Sequence, residues 1–402
     1  MKRTSLFSFL CFLSFLSMAQ PPNGKLITPQ SNTQNGIIEN GTNVPKGYLN
    51  NMNLNESNSL INMDSSYYHS IETKDEERKE VERDDVVDLR TIDQKMQFFS
   101  AFSLVRQNSK ANRFQRTPLT SEQAEMDAKV KQLEAISPDS WEHQFAYYSA
   151  GNYNLDRSAA IEQAFQMNPE NVEVQKQFAS YKYMNGDTLG TESILSLMSV
   201  NDVISLEVES YTSDVLTSCT MNSTLITHGF EDTYGTFLNQ FSHQQRMDVK
   251  VVSLDFLQSP QYRKELEGLG YVLPKSTKID VAYLGQFCTL NADKELFLSV
   301  TIPRNYFEPI SKKLYPVGLT FQYTDNPAED LPIRQENFWF EQFNKYGLTE
   351  DQERSKFAMN YIPMLLYLEQ KYEKEGNEVL LQQIRESMDY ILGRKVNKEV
   401  GN

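Results

Sequence analysis

His228, Glu231 and Asp232 lie within five positions, in the stretch His228-Gly229-Phe230-Glu231-Asp232-Thr233, and Asp255 follows a second apolar run. An imidazole beside carboxylates is a side-chain set for general acid–base chemistry, in which one group takes a proton that another holds or supplies. The same residues also suit plain structure, because Asp232 or Thr233 would cap a helix by accepting from its N2 or N3 amide, an effect of about 1 kcal/mol. No nucleophile stands with a nearby histidine, and the glycine spacing and lysine of a phosphate loop are missing. His69, His143 and His243 show no metal-ligand spacing, so no metal and no cofactor is expected, and His243 should face solvent.

Positioning these groups falls to Asn222 to Leu257, which reads as strand, loop, helix, strand. Leu225 to Thr227 is a short apolar run that stops at His228-Gly229, where glycine permits a sharp turn. Tyr234, Phe237, Leu238 and Phe241 then fall at i, i+3, i+4 and i+7, an apolar helical stripe, with Asn239, Gln240 and Gln244 assigned to the opposite, polar side. Val249, Val251, Val252 and Leu254 form a nearly continuous β-branched run, as in a strand covered on both faces. The expected unit is a right-handed parallel βαβ, and the carboxyl ends of its strands are where open α/β sheets bind ligands.

Beyond it, Gln261 to Leu269 reads as a helix opened by Ser259-Pro260, Lys278 to Phe287 and Leu296 to Ile302 as strands, and Tyr306 to Leu314 as a short helix. Val317 to Tyr323 alternates as one half-buried edge strand would. Phe338, Trp339, Phe340 and Phe343 form an aromatic cluster that reads either as core or as a stacking groove. Two long helices, Thr349 to Gly376 and Asn377 to Leu392, close the chain, with Pro363 expected to kink the first.

The chain has 402 residues, with 39 Lys and Arg against 54 Asp and Glu for a net charge of -15, which disfavours nucleic acid and anionic lipid as partners. Lys2-Arg3, the apolar run Leu6 to Leu16 and Ser17-Met18-Ala19 read as a signal peptide cleaved after Ala19. No later stretch reaches the ~20 apolar residues of a membrane helix, so none is expected in the mature chain. Cys219 and Cys288 could form one disulfide in an oxidising compartment, or stay as two buried thiols. The expected divisions are a signal peptide at 1–19, a disordered or charged linker at 20–88, a helical region at 89–200, an α/β domain at 201–330, a helical hairpin at 331–394 and a tail at 395–402. The linker is rich in Asn, Ser, Gly and Pro and ends in the charged run Lys74 to Arg90.

Two resemblances add to this. Gly151-Asn152-Tyr153, the run Ala160 to Phe165, Asn168-Pro169-Glu170-Asn171, Ala179 and Gly186 resemble a tetratricopeptide repeat and the first helix of another. Such repeats imply a protein-binding surface, for which Tyr147, Tyr148 and Tyr153 are the candidates. Gly229 to Tyr234, Asp248 to Leu254, Leu296 to Thr301, Tyr315 to Tyr323 and Asn360-Tyr361 come in the order of signals in a bacterial family of multi-span envelope proteins of unknown function. Residues from Ser218 to about Leu392 resemble the soluble C-terminal region of that family, which is described as similar to protein O-mannosyltransferases. Phe230 departs from the family, replacing an aspartate and leaving Asp232 alone of an acidic pair. The membrane helices compared with glycosyl transfer have no counterpart here, so the resemblance implies no transferase activity.

The fold expected is α/β: a small, mostly parallel sheet with a βαβ core, flanked by tetratricopeptide-like helical hairpins. The function expected is that of an exported, periplasmic binding or scaffold protein of the cell envelope, not an enzyme, acting on a protein partner or a glycan. The alternative is an accessory protein or enzyme of envelope glycan or protein glycosylation, using the His228 to Asp232 loop and Asp255 to bind a ligand.

Overall fold

A computed structural model describes residues 89–348 and 353–394, all within one compact unit, residues 56–402. The signal-peptide reading of 1–19, most of the charged run, His69, the start of the helix expected from Thr349 and the tail from 395 lie outside the described residues.

The first part is helical: α1 (Leu89–Lys110), α2 (Thr120–Ile136), α3 (Trp141–Ala150), α4 (Ser158–Met167), α5 (Val172–Met184), α6 (Thr188–Val200) and α7 (Leu206–Thr217). Short polar residues start several of them. Ser140 accepts from the His143 amide, Asn171 from the Glu173 and Val174 amides at 3.0 and 3.1 Å, and Asp187 from the Gly190 amide at 2.8 Å, satisfying donors that a helix start leaves orphaned. Successive helices pair as hairpins over a core that includes Phe102, Met126, Leu133, Phe145, Ile161 and Val174. Ala146, Ala160 and Ala164 are buried in that core, where small side chains let helices approach closely.

The sheet follows: β1 (Thr224–Thr227), α8 (Gly229–His243), β2 (Lys250–Ser253), α9 (Pro260–Gly268), α10 (Val281–Leu290), β3 (Leu296–Ser299), α11 (Arg304–Phe307), β4 (Leu314–Val317) and β5 (Thr320–Tyr323). The strand order is β2-β1-β3-β5-β4. β1 pairs in parallel with β2 (Leu225 to Val251) and with β3 (Leu225 to Phe297), while β5 is antiparallel to both β3 and β4. The expected βαβ unit is therefore present, and the β4–β5 hairpin makes the sheet mixed. β2 and β3 flank β1 on opposite sides, so right-handed crossovers place α8 on one face and α9 and α10 on the other. Both faces are covered, which is why all four residues of β1 are buried.

Several elements differ from the sequence reading for identifiable reasons. Asn239 and Gln240 are 3% and 6% exposed, because α8 is held between the sheet and helices α6 and α7. Their amides serve as internal donors, Asn239 to Glu209 O at 2.8 Å and Gln240 to Val249 O at 2.7 Å. Gly235 allows the close crossing with α7, since a Cβ there would lie 2.7 Å from Val208 Cγ1. Lys278 to Phe287 is not a strand; α10 begins at Val281, where Asp280 caps it by accepting from the Tyr283 amide at 3.0 Å. Val317 to Tyr323 is not one strand but the end of β4, a turn broken at Gly318 with φ +56°, and β5.

After α12 (Leu331–Asn337), a 3-10 turn at Ala358–Tyr361 leads into α13 (Ile362–Glu375) and α14 (Glu378–Ile391). Pro363 lies in the first turn of α13, where its missing N–H breaks no bond, so it starts the helix instead of kinking it. Phe338, Trp339 and Phe343 are buried core, Trp339 and Phe343 against Tyr361 and Phe338 stacked on Phe343; Phe340 stays partly exposed. Asp214 of α7 ties this end down, accepting from the Asn344 amide at 2.7 Å and the Tyr361 hydroxyl at 2.8 Å. Among the described residues no helix is long and apolar enough to cross a membrane.

Candidate functional site

The chain leaves β1 at Thr227, turns at Gly229 with φ +75°, and enters α8. This puts His228, Asp232 and Asp255 together at the carboxyl ends of β1 and β2. Both carboxylates are held by internal bonds. Asp255 Oδ2 accepts from the Gly229 amide at 2.9 Å, so a carboxylate sits at the positive end of α8. Its Oδ1 accepts from Arg116 Nε at 2.7 Å, with both side chains nearly buried. Burial alone would raise the Asp255 carboxyl, but the Arg116 guanidinium, His228 and the Gly229 amide hold it down to about 2.

Asp232 does not cap α8 through an N2 or N3 amide. Its Oδ2 accepts from the His228 amide at 3.0 Å and its Oδ1 from the Ser299 hydroxyl at 2.9 Å, which links α8 to the end of β3. Thr233 likewise turns inward, its hydroxyl 2.9 Å from that of Thr227 and 3.3 Å from that of Ser253. Burial pushes the Asp232 carboxyl up to about 6. Burial, and then the nearby Arg116 charge, push His228 down to about 3, so its imidazole is neutral near pH 7. Its Nε2 is shielded from solvent and has no hydrogen-bond partner among the described residues. Glu231 is not part of this group, since it pairs with Lys356 at 2.6 Å near the C-terminal helices. His243, expected to face solvent, is about half exposed and lies 3.1 Å from Glu209.

The sequence reading did not include Arg116 among the site residues. It arrives from the α1–α2 connection, held by its amide to Ile279 O at 2.7 Å and by the isolated bridge between Gln115 and Asp280. A contact spanning 139 positions leaves no local signal beyond the basic character of residues 106–116. Between the helical part and the sheet lies a cleft of about 350 Å³ including its open mouth. Lys110, Arg116, Tyr153, Lys176 and Gln177 line its helical side. Gly229, Phe230, Tyr234, Ser253, Asp255 and Phe256 line its sheet side. Its two sides are bonded across, since the Tyr234 hydroxyl donates to Lys176 O at 2.8 Å, and outside its lining the Tyr183 hydroxyl donates to Val251 O at 3.2 Å.

The aromatic set of expected site residues is corrected, and of the two cysteine readings the buried thiols are found. Of Tyr147, Tyr148 and Tyr153, only Tyr147 is exposed, with the Arg157 guanidinium 4.5 Å from its ring centre. Tyr148 is wholly buried in the helical core, and Tyr153 is turned inward by left-handed backbone at Asn152 and Tyr153 to pack 5.2 Å from Phe256. Neither can meet a partner on the surface, and Tyr153 is instead a wall of the cleft. Cys219 and Cys288 are not bonded; both are buried free thiols. Cys219 Sγ donates back to Val215 O at 3.6 Å, and Cys288 lies within α10. Burial pushes both thiols up to about 12, so they remain protonated and poorly nucleophilic. Accordingly, reductant should leave the melting temperature unchanged, and a maleimide should label Cys219 and Cys288 only after denaturation, as peptide mapping would show. Among the described residues no group of three or more His, Cys, Asp or Glu is placed to hold a metal ion.

No curated protein and no solved structure shows a significant match to the chain. Residues 208–313 match the family of the TMEM260-associated domain 2. That segment runs from α7 past β3 and carries His228, Asp232 and Asp255, whereas Lys110, Arg116, Tyr153, Lys176 and Gln177 precede it. The sheet side of the cleft is thus similar to the TMEM260-associated domain 2, and its cationic side comes from the helices that this chain packs against that region.

Proposed function

We propose that this chain is a binding or scaffold protein of the bacterial cell envelope, not an enzyme, and that recognition is its work. One observation carries this reading: the carboxylates that could do acid–base chemistry are committed to internal bonds, and the histidine beside them stays neutral. Asp255 is taken by Arg116 and the start of α8, Asp232 by the His228 amide and Ser299, and His228 does not titrate near pH 7. A general base needs both reach to a substrate proton and a pKa near the working pH. The export address rests on the N-terminal leader pattern, and the protein partner on the tetratricopeptide-like spacing, with Tyr147 as the exposed aromatic of that region.

A second reading, an accessory of envelope glycan or protein glycosylation, draws on the match to a TMEM260-associated domain. Two variants at one position separate the two. Asp232→Ala is expected to lower stability by about 1–3 kcal/mol, the cost of leaving a buried donor without its acceptor, while capture of the native partner from envelope extracts is unchanged. Turnover of an envelope glycan or peptide by the purified protein, abolished in Asp232→Asn with the melting temperature intact, would overturn the binding reading. Recovery of most of the protein from the cytoplasm on fractionation would overturn the address.

A further inference from the structure

The cleft carries more positive than negative charge, although the chain as a whole has 39 basic against 54 acidic side chains. Lys110, Arg116 and Lys176 line it, and Arg106 lies behind its wall with the guanidinium 5.8 Å from the Tyr153 ring centre. Against these four cations stand two carboxylates, Asp255 and Glu173. Both stay ionised. Glu173, which burial alone would raise, is held down to about 2 by Lys176, Lys110 and Arg106, and Asp255 is held down likewise. His228 adds no charge near pH 7. The group therefore has an excess of two positive charges in a largely desolvated place, an arrangement that is costly unless an anion completes it.

Several polar groups also lack partners. Arg106 is 7% exposed, yet among the described residues its Nε has no hydrogen-bond partner, and its Nη1 donates to Asn152 Oδ1 at 2.5 Å. Gln177 is 2% exposed and lines the cleft with its Oε1 unpartnered. Rotating that amide by half a turn would place a donor at the same point. The Lys110 ammonium has no hydrogen bond or ion pair among the described residues. Lys176 Nζ is paired with Glu173 at 2.7 Å and lies 4.4 Å from the Phe230 ring centre. The start of α8 is not the attraction, since Asp255 already occupies the Gly229 amide.

We propose that this cleft binds a phosphate group, carried as a phosphate monoester or as free phosphate, with Lys110 and Lys176 as its direct ligands and Arg116 and Gln177 completing the cradle. A phosphate monoester carries about -1.5 to -2 charges near neutral pH, which matches an excess of two cations better than a carboxylate does. Aromatic side chains, Phe230, Tyr234 and Phe256, offer apolar area beside it for whatever the phosphate is attached to. The inference rests on the reading that the cleft binds instead of reacting, and it adds the chemical class of what is bound.

The test is titration of the full chain with inorganic phosphate at constant ionic strength, followed by calorimetry and by melting temperature against a potassium chloride control. Phosphate is expected to bind and to raise the melting temperature. Lys110→Gln and Lys176→Gln should each weaken binding by about tenfold or more, as loss of a charge-assisted contact implies. Lys110→Gln breaks no internal hydrogen bond but gives up its attraction to Glu173, so its phosphate-induced rise is read against its own unliganded melting temperature; Lys374→Gln, on the exposed face of α13, should bind phosphate normally. O-phosphoserine and vesicles of phosphatidylcholine with phosphatidic acid distinguish the sources. Displacement of phosphate by the amino-acid ester places the group on a small soluble molecule, and vesicle flotation that Lys110→Gln abolishes places it on a lipid. No stabilisation beyond the chloride control together with no binding to ester or vesicle, or binding that both lysine variants leave unchanged, would overturn the proposal. Either result would leave partner capture and the absence of turnover standing, so the wider binding reading would fail only by its own tests.

Discussion

Replacing Arg116 by alanine is expected to lower the free energy of unfolding by about 3–5 kcal/mol, the cost of leaving one member of a buried ion pair without the other. The Arg116 and Asp255 side chains are 3% and 10% exposed, so water cannot solvate the carboxylate that remains. The guanidinium also donates to Lys110 O at 2.8 Å, and its loss would loosen the α1–α2 connection. Urea unfolding would give the number; a loss below about 1 kcal/mol, typical of an exposed pair, would show that water reaches Asp255. The pH dependence has a definite sign. Asp255 is depressed in the fold, so its contribution is present above its unfolded value of about 3.9 and is lost as pH falls toward about 2. Arg116→Ala should remove that loss, so its deficit against the parent is largest near neutral pH and shrinks as pH falls below about 4. Asp255→Asn added to Arg116→Ala should recover part of the loss, because it removes the stranded charge.

The second large effect is a pair of opposed pH slopes at one end of the sheet. His228 is depressed to about 3 in the fold, against about 6.5 when unfolded. Its contribution is therefore present above pH 6.5 and is lost as pH falls toward 3, amounting to about 2–3 kcal/mol between pH 6.5 and 4.5. Asp232 is raised to about 6, so its contribution is present below its unfolded value near 3.9 and is lost as pH rises through 6, with a gain of about 2 kcal/mol on going from pH 7 to 4.5. Asp214, which burial also raises to about 6, acts in the same direction as Asp232. In the parent these slopes offset one another. His228→Asn should remove the acid-side loss, so its stability relative to the parent rises as pH falls. Asp232→Asn should do the reverse. Chemical unfolding of the three proteins at a series of pH values measures this, and parallel curves would mean that neither group is desolvated.

Local pattern was enough to find the βαβ unit. Glycine at 229 and β-branched residues from Val249 each leave a signature within a few positions, and the apolar stripe from Tyr234 sets the period of α8. The same reading lost its hold where one apolar run suits two periods. Residues 278–287 are as apolar as a strand, and the Asp280 cap decides for a helix. The inward turn of Tyr153 also escaped it, because a repeat-like aromatic shows its type in sequence but not which side of the backbone it will occupy. Burial of Asn239 and Gln240 was hidden for a related reason: polarity suggests an exposed side only until other helices cover it and use its amides as donors.

By itself, then, the sequence determined the α/β core with its helical flanks and the strand-end position of His228, Asp232 and Asp255, since those depend on residue type and short-range spacing. Only the tertiary structure decided what those residues do, by bringing Arg116 across 139 positions to Asp255 and Ser299 across 67 to Asp232. It also set Lys110 and Lys176 of the helical part opposite the end of β2. Charge and burial at a site are sums over groups that are near in space, and a linear order of residues does not contain those distances.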